Sequence, residues 1–270
     1  MVDECARQQI YIILDNHISK GMWCCSETDG NSWWGDTYFS TANWTRGLAY
    51  MAQHGRQWPN MVAMSLRNEP RDPKNNRAAQ ATYNWRDWYG FTRQGAKAVH
   101  DAHPDVLVVL SGLSYDTYIT PVVQGTALTP GTAKFSRGDF PGYGDKLVLE
   151  IHNYQGDVKN CRDLQSTLYK NGFQALAPDA PNAFPILLTE FGFAMDAATY
   201  KGVYATCLAA YLPAQKAGWT IWVLAGSYYI RSGKQDYEEA WGLLNHDWSE
   251  WRNPTYVTTQ LAPMVKASLA

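Results

Sequence analysis

The sequence lacks any apolar run approaching the roughly 20 residues that a membrane-spanning helix requires, so no membrane partner is expected. Its N-terminus has no basic stretch followed by an apolar one, and no signal peptide is expected within these residues. Neither sign of charge is in excess: the net charge is −2, the pI is near 6.3, and no basic run occurs. Nucleic-acid affinity comes mostly from neutralising phosphates, so no nucleic-acid partner is expected either. The Gly-x-Ser-x-Gly elbow, the phosphate loop and the Gly-x-Gly-x-x-Gly turn are all missing, which removes the central parts of serine hydrolases and nucleotide enzymes. His-x-His and His-Glu-x-x-His spacings are missing too. A metal hydrolase built on His17, His152, Asp15 and Glu190 is therefore a weak competitor, and no metal or organic cofactor is expected. No Pro/Ser/Gly linker, repeat or low-complexity stretch divides the chain, so residues 1–270 read as one domain.

What is plentiful is aromatic surface. Twelve Trp and 17 Tyr occur, several beside Gly, Asp or Asn where no core needs them. Flat apolar rings in such places suit flat, weakly charged ligands.

Six short apolar runs rich in β-branched residues predict strands at Ile10–Asn16, Met61–Arg67, Val106–Ser111, Lys146–Asn153, Ile186–Glu190 and Thr220–Leu224. Helical patterns over Thr41–Gln57, Gln80–His103, Lys159–Asn171 and Tyr200–Ala217 separate them, with a shorter piece at Tyr115–Val123 and a last helix at Thr258–Leu269. Such alternation predicts an α/β fold with a parallel sheet covered by helices. Polar residues gather where the runs end: Asp15, Asn16 and His17; Arg67, Asn68 and Glu69; Ser111; Glu150, His152 and Tyr154; Glu190; Trp222. In an α/β barrel those strand ends converge on one cavity and carry the chemistry.

Two glutamates matter most, Glu69 in Leu66-Arg67-Asn68-Glu69-Pro70 and Glu190 in Thr189-Glu190-Phe191-Gly192. A carboxylate beside a buried strand is costly unless it is paired or hydrogen-bonded. Taken singly, each has a structural reading: a helix-start acid before Pro70, and half of a buried ion pair. Taken together, two carboxyls facing one cavity are what glycosidic-bond cleavage needs, one to protonate the leaving oxygen and one to attack the anomeric carbon or activate water.

Asn68-Glu69-Pro70, His152-Asn153-Tyr154, Thr189-Glu190-Phe191-Gly192 and Trp222, in that order and at strand ends, resemble glycoside hydrolase family 5, the cellulase family. Leu14-Asp15-Asn16-His17, Trp23-Cys24-Cys25 and Gly35-Asp36 are most similar to its plant and fungal cellulase-like branch. The resemblance implies a TIM-barrel-like (β/α) fold and a retaining endo-acting hydrolase of β-1,4-glucan polysaccharide or oligosaccharide, with Glu190 as nucleophile and Glu69 as acid/base. It implies that Asn68 bonds the sugar 2-hydroxyl, that Tyr154 holds the nucleophile, and that His17 and His152 contact sugar or carboxylates. Trp222 would be the platform at the cleavage point, followed by a cis peptide, with Trp23 and Trp34 as further sugar contacts. Mannan, xyloglucan or a glycolipid glucoside stand behind glucan as substrates.

Set against the family, the run at residue 10 corresponds to its third strand, so only six of the eight strand–helix units are expected, an incomplete barrel. The family's arginine beside the nucleophile has no counterpart, which is expected to weaken attack by Glu190. An inactive or weakly active carbohydrate-binding remnant, gripping glucan through Trp23, Trp33, Trp34, Tyr228, Tyr229 and Trp241, is the alternative. Exposed barrel edges predict self-association into a homo-oligomer. Five cysteines and the sequon Asn43-Trp44-Thr45 point to a secreted protein, with a disulfide expected from Cys24 or Cys25 to Cys161.

Overall fold

The protein is described over residues 1–270 by a computed structural model. Six strands, β1 (Ile12–Asp15), β2 (Met61–Ser65), β3 (Leu107–Ser111), β4 (Leu147–His152), β5 (Ile186–Glu190) and β6 (Gly218–Trp219), lie in one sheet in sequential order. Their pairings are parallel. Sequential parallel order with helical crossovers is the wall of a (β/α) barrel, here with six strands. All six residues of β4 are buried, as a strand covered on both faces must be.

The helices are α1 (Val2–Arg7), α2 (Thr41–Gly55), α3 (Arg77–Gln80), α4 (Trp85–Ala102), α5 (Thr120–Val123), α6 (Cys161–Asn171), α7 (Val203–Ala214), α8 (Pro254–Tyr256) and α9 (Ala262–Ser268). Their starts follow from capping chemistry. The side chains of Ser40, Asn84 and Asn160 accept from the backbone N–H three residues on, satisfying donors that the helix itself cannot. None of the helices is long and apolar enough to cross a membrane.

Two compact units make up the chain, and the division passes through β4. The first holds Met1–Glu150 with Ala177–Pro185. In it, α2 packs on α4 closely enough that a Cβ on Gly95 would stand 2.3 Å from the Trp44 ring. The loop between β1 and α2 folds inward and buries Trp33 and Trp34, which meet edge to face at 4.7 Å. Trp34 also stacks on Phe91 at 4.9 Å. The expectation that Trp34 contacts sugar is thereby corrected: it is 3% exposed and is part of the core, as is Trp33.

The second unit holds Ile151–Leu176 with Ile186–Ala270. The sixth strand falls at Gly218–Trp219, paired with Leu187 and Leu188, ahead of the expected Thr220–Leu224. Beyond it, single bonds from Thr220 to Leu188 O and from Trp222 to Phe191 O continue alongside β5 without a full ladder. A hairpin not anticipated from the sequence follows, β7 (Ser227–Arg231) and β8 (Lys234–Glu238). Its turn, Ser232-Gly233, has φ of +51° and +77°, the left-handed pair that a two-residue hairpin demands.

The disulfide expectation is also corrected. Cys24 pairs with its neighbour Cys25, and Cys161 pairs with Cys207. Cys161 opens α6 and Cys207 sits in α7, the helix packed against it, at a Cα separation of 5.5 Å that suits a bridge. This bond closes a span of 46 residues, for which loop entropy gives about 4 kcal/mol. Replacing both cysteines by Ala (Cys161→Ala with Cys207→Ala) is expected to lower unfolding free energy by about 2–4 kcal/mol, read from urea denaturation midpoints. An unchanged midpoint would show that the bond contributes nothing to the folded state.

Candidate functional site

Strand ends create a local problem, because the last carbonyls lose their ladder partners inside the protein. In the first unit, side chains from neighbouring elements supply the missing donors. Trp44 Nε1 on α2 donates to Leu66 O at 2.8 Å, and Trp88 Nε1 on α4 donates to Ser111 O at 2.9 Å. The Ser111 hydroxyl donates to Arg67 O. The Asn68 N–H donates to Asn16 O at 3.1 Å, tying the end of β2 to that of β1. Ser65 Oγ donates to the buried Glu150 carboxylate at 2.5 Å.

Two buried arginines complete this arrangement. Arg67 donates to Asn16 Oδ1 and Ser19 Oγ, each at 3.1 Å, and to Asn31 O at 2.5 Å, with its guanidinium 4.0 Å over the Phe39 ring. Burial, and then the like charge of Arg71, push its pKa down to about 9, so it remains charged at neutral pH. Arg71 donates to Ser26 O and Glu69 O, both at 2.9 Å, and pairs with Asp29 at 2.5 Å. The side chains of Arg71 and Asp29 are 1% and 6% exposed, so this ion pair is screened little by water.

Between these arginines the backbone of Glu69 adopts φ of +48°, left-handed for a residue that has a Cβ. Such a conformation is uphill for a non-glycine residue and persists only where the surroundings hold it. The Arg71 bond to Glu69 O is one such restraint. The buried Asn68 points its amide nitrogen at the sulfurs of Cys24 and Cys25, 3.7 Å from each. His17 Nδ1 bonds the Asp15 carboxylate at 2.7 Å, and Trp23 is half-buried beside Cys24.

In the second unit, Glu190 ends β5 and its carboxylate oxygen Oε2 accepts from the Tyr154 hydroxyl at 2.9 Å, with His152 Nδ1 3.6 Å away. The backbone N–H of Asn153 donates to Glu190 O at 3.0 Å, and the Tyr204 hydroxyl donates to Asn153 O, so both strand ends are pinned. Burial raises the pKa of Tyr204, which keeps it a donor. Gly192 has no substitute here: a Cβ would lie 2.2 Å from Trp222 O. Trp222 itself is half-buried, and the bond between Trp222 and Val223 is cis, as the resemblance implied.

Trp241 and Tyr228, two of the rings named for the binding alternative, lie here together with Glu239 and Arg231, which had no role in the sequence reading. The Trp241 ring lies 5.7 Å from the Tyr154 ring, and the backbone N–H of Trp241 donates to the buried Glu239 carboxylate at 3.1 Å. Arg231 pairs with the other oxygen of Glu239. Burial, then the charge of Glu239, raise the pKa of Tyr228. Glu239 directly follows β8, a strand whose polar sequence gives no apolar run to mark its end, so it carried no sequence signal; Arg71 had one, its place two residues after Glu69.

Comparisons with known proteins agree with the motifs. Residues 1–227 match the family described as cellulase, glycosyl hydrolase family 5. A glycosyl hydrolase 5 family protein of Chamaecyparis obtusa is 38% identical over 264 residues, 92% of this chain and 43% of that protein. The chain thus spans less than half the length of that relative. The catalytic domain of the major endoglucanase of Xanthomonas campestris has the same fold, with a TM-score of 0.67 and 19% identity over all of this chain and 72% of that one. An endocellulase variant of Pyrococcus horikoshii, solved with cellotetraose, gives a TM-score of 0.69 at 16% identity over 99% of this chain and 72% of its own.

One pH dependence follows from the hairpin of the second unit. His246 lies between Glu238 at 2.5 Å and Asp236 at 3.0 Å, while Arg252 pairs with Glu238. The hydrogen bond to Glu238, with that to Asp236, raises the imidazole pKa above its ordinary 6.5. A raised folded value means that its stabilisation is complete below the unfolded pKa and is lost as pH rises through the folded one. An NMR titration of the His246 ring is expected to give a midpoint above 6.5, and one at or below it would show that the two carboxylates do not hold the charge.

Proposed function

The chain belongs to glycosyl hydrolase family 5, and from that premise we propose that it is a retaining endo-acting β-1,4-glucanase with Glu190 as nucleophile and Glu69 as acid/base. The observation that carries the reading is the Glu190 carboxylate at the end of β5, held by the Tyr154 hydroxyl at 2.9 Å with His152 beside it. One oxygen is thereby fixed and its charge stabilised, which orients the other lone pairs for attack on an anomeric carbon.

In the first step Glu190 attacks that carbon while Glu69 gives its proton to the departing glycosidic oxygen. In the second, Glu69 takes a proton from water, which displaces the sugar from Glu190 and restores both groups. Retention requires the two carboxyls about 5 Å apart, whereas inversion uses a wider gap. Asn68 bonds the 2-hydroxyl, whose contact strengthens as charge develops on the ring. Trp222 is the platform under the sugar, and Trp23, His17 and His152 are further contacts. The substrate assignment is supported by the neighbouring β-glucanase of Saccharophagus degradans, solved in complex with cellotetraose. No step uses a metal, so activity is expected to survive EDTA.

Secretion is part of the same reading, because disulfides persist in oxidising compartments. So is self-association: β1 stands at one end of the sheet order, and the neighbouring Ile10 and Tyr11 are exposed, a template for a second copy.

The test is reducing-sugar release from soluble β-1,4-glucan. Glu69→Gln is expected to slow release roughly 10²- to 10⁴-fold, and Glu190→Gln to abolish it while leaving cello-oligosaccharide binding within a few-fold. The anomer released first, seen by proton NMR, is expected to be β. An α product would replace retention with inversion, and oligosaccharide binding without any release would identify a binding remnant instead.

A further inference from the structure

The disulfide between Cys24 and Cys25 has no part in the chemistry above. It stands in the loop after β1, and both cysteines are half-buried, not sealed in the core. Its neighbours are the groups that matter most in the first unit. The Asn68 amide nitrogen is 3.7 Å from each sulfur, and a carboxylate oxygen of Glu69 is within 4.8 Å of both. A side chain proposed to bond a sugar hydroxyl and one proposed to move a proton therefore share a wall of sulfur.

That wall has distinctive chemistry. A disulfide has no S–H, so it donates no hydrogen bond; sulfur accepts only weakly, and it is soft and polarisable. A pyranose presents hydroxyls around its rim and C–H groups on its faces. Sulfur is a poor partner for the rim and a good one for a face. The cross-link also removes rotamer freedom from both side chains before any ligand arrives, so packing against it costs little additional ordering. We propose that the Cys24–Cys25 disulfide is a sugar-contacting element, its sulfurs packing against a C–H face of the pyranose whose polar groups are taken by Asn68 and Glu69. This rests on the reading of the chain as a β-glucan-binding protein and adds to it a contact that neither tryptophan nor hydrogen bonding supplies.

The experiment uses the full oxidised chain carrying Glu190→Gln, so that the ligand is bound without being cut, with cellotetraose as ligand and tris(2-carboxyethyl)phosphine as reductant. The phosphine attacks one sulfur and the S–S bond breaks. Water then carries phosphorus to the phosphine oxide, leaving two thiols and balancing the two electrons transferred. Quenching by alkylation and peptide mass spectrometry follow Cys24–Cys25 and Cys161–Cys207 separately, the second serving as internal reference. Calorimetry first measures the cellotetraose Kd. At ten times that concentration, a ligand covering the sulfurs leaves about one chain in ten open, so reduction of Cys24–Cys25 is expected to slow about ten-fold relative to Cys161–Cys207. An unchanged rate, or equal slowing of both bonds through general stabilisation, overturns the proposal while leaving the functional reading intact. Absence of any cellotetraose binding in calorimetry overturns the β-glucan reading and this proposal with it.

Discussion

Every strand of a parallel sheet ends inside the protein with carbonyls that have no next strand to bind, and the local architecture depends on how those groups are satisfied. Here the donors are side chains from flanking elements. Trp44 and Trp88 reach from helices to Leu66 O and Ser111 O, Ser111 reaches across to Arg67 O, and Tyr204 reaches to Asn153 O. The bonds to Leu66 O, Arg67 O and Asn153 O do double duty, since each of those carbonyls lies one to three residues from a side chain in the proposed chemistry. Leaving such a carbonyl buried without a donor would cost about 1–3 kcal/mol, so the strand ends are held by energetic necessity, and the glutamates beside them inherit that rigidity.

The arginines follow from the same constraint. Backbone oxygens of Asn31, Ser26 and Glu69 converge where no regular structure can serve them, and a guanidinium with five donors in a fixed fork satisfies several at once. Burying such a charge is expensive, and the chain offsets that with Asp29 for Arg71 and with carbonyls and the Phe39 ring for Arg67. A rigid loop after β1 results, and the left-handed backbone at Glu69 is restrained by the same arginine that orders the loop.

In the second unit the logic is electrostatic. Glu190 is accompanied by a phenol and an imidazole, groups that can share its negative charge without forming a fixed ion pair with it. Glu239, by contrast, is neutralised by Arg231 and bonded to the backbone of Trp241, which makes it a structural carboxylate that holds an aromatic side chain in place. Two buried or half-buried acids in one unit thus have different surroundings, one beside a phenol and an imidazole and one paired with a guanidinium.

Much of this was legible in the chain itself. Strands β1 to β5 could be read because each is a nearly unbroken apolar run, as a strand of a helix-covered parallel sheet tends to be, and Glu69, Tyr154 and Glu190 were singled out because a polar group at or soon after the end of such a run needs a reason. The hairpin β7–β8 escaped because Lys234–Glu238 is nearly all polar and exposed, leaving no apolar period to detect. β6 was displaced because two paired residues carry too little pattern. The disulfides were misread because spacing in sequence says which loops hold cysteines but not which sulfurs meet. Trp34 was misread for a related reason, as a tryptophan in a Gly-rich and Asp-rich loop looks alike whether that loop lies outward or folds over its own core. Local patterning and residue chemistry thus determined the first five strands, their order and the acid that ends β5. Which side of each loop faces inward, which cysteines pair and which donors reach the stranded carbonyls were decided only by tertiary packing, because those choices depend on distances between residues far apart along the chain.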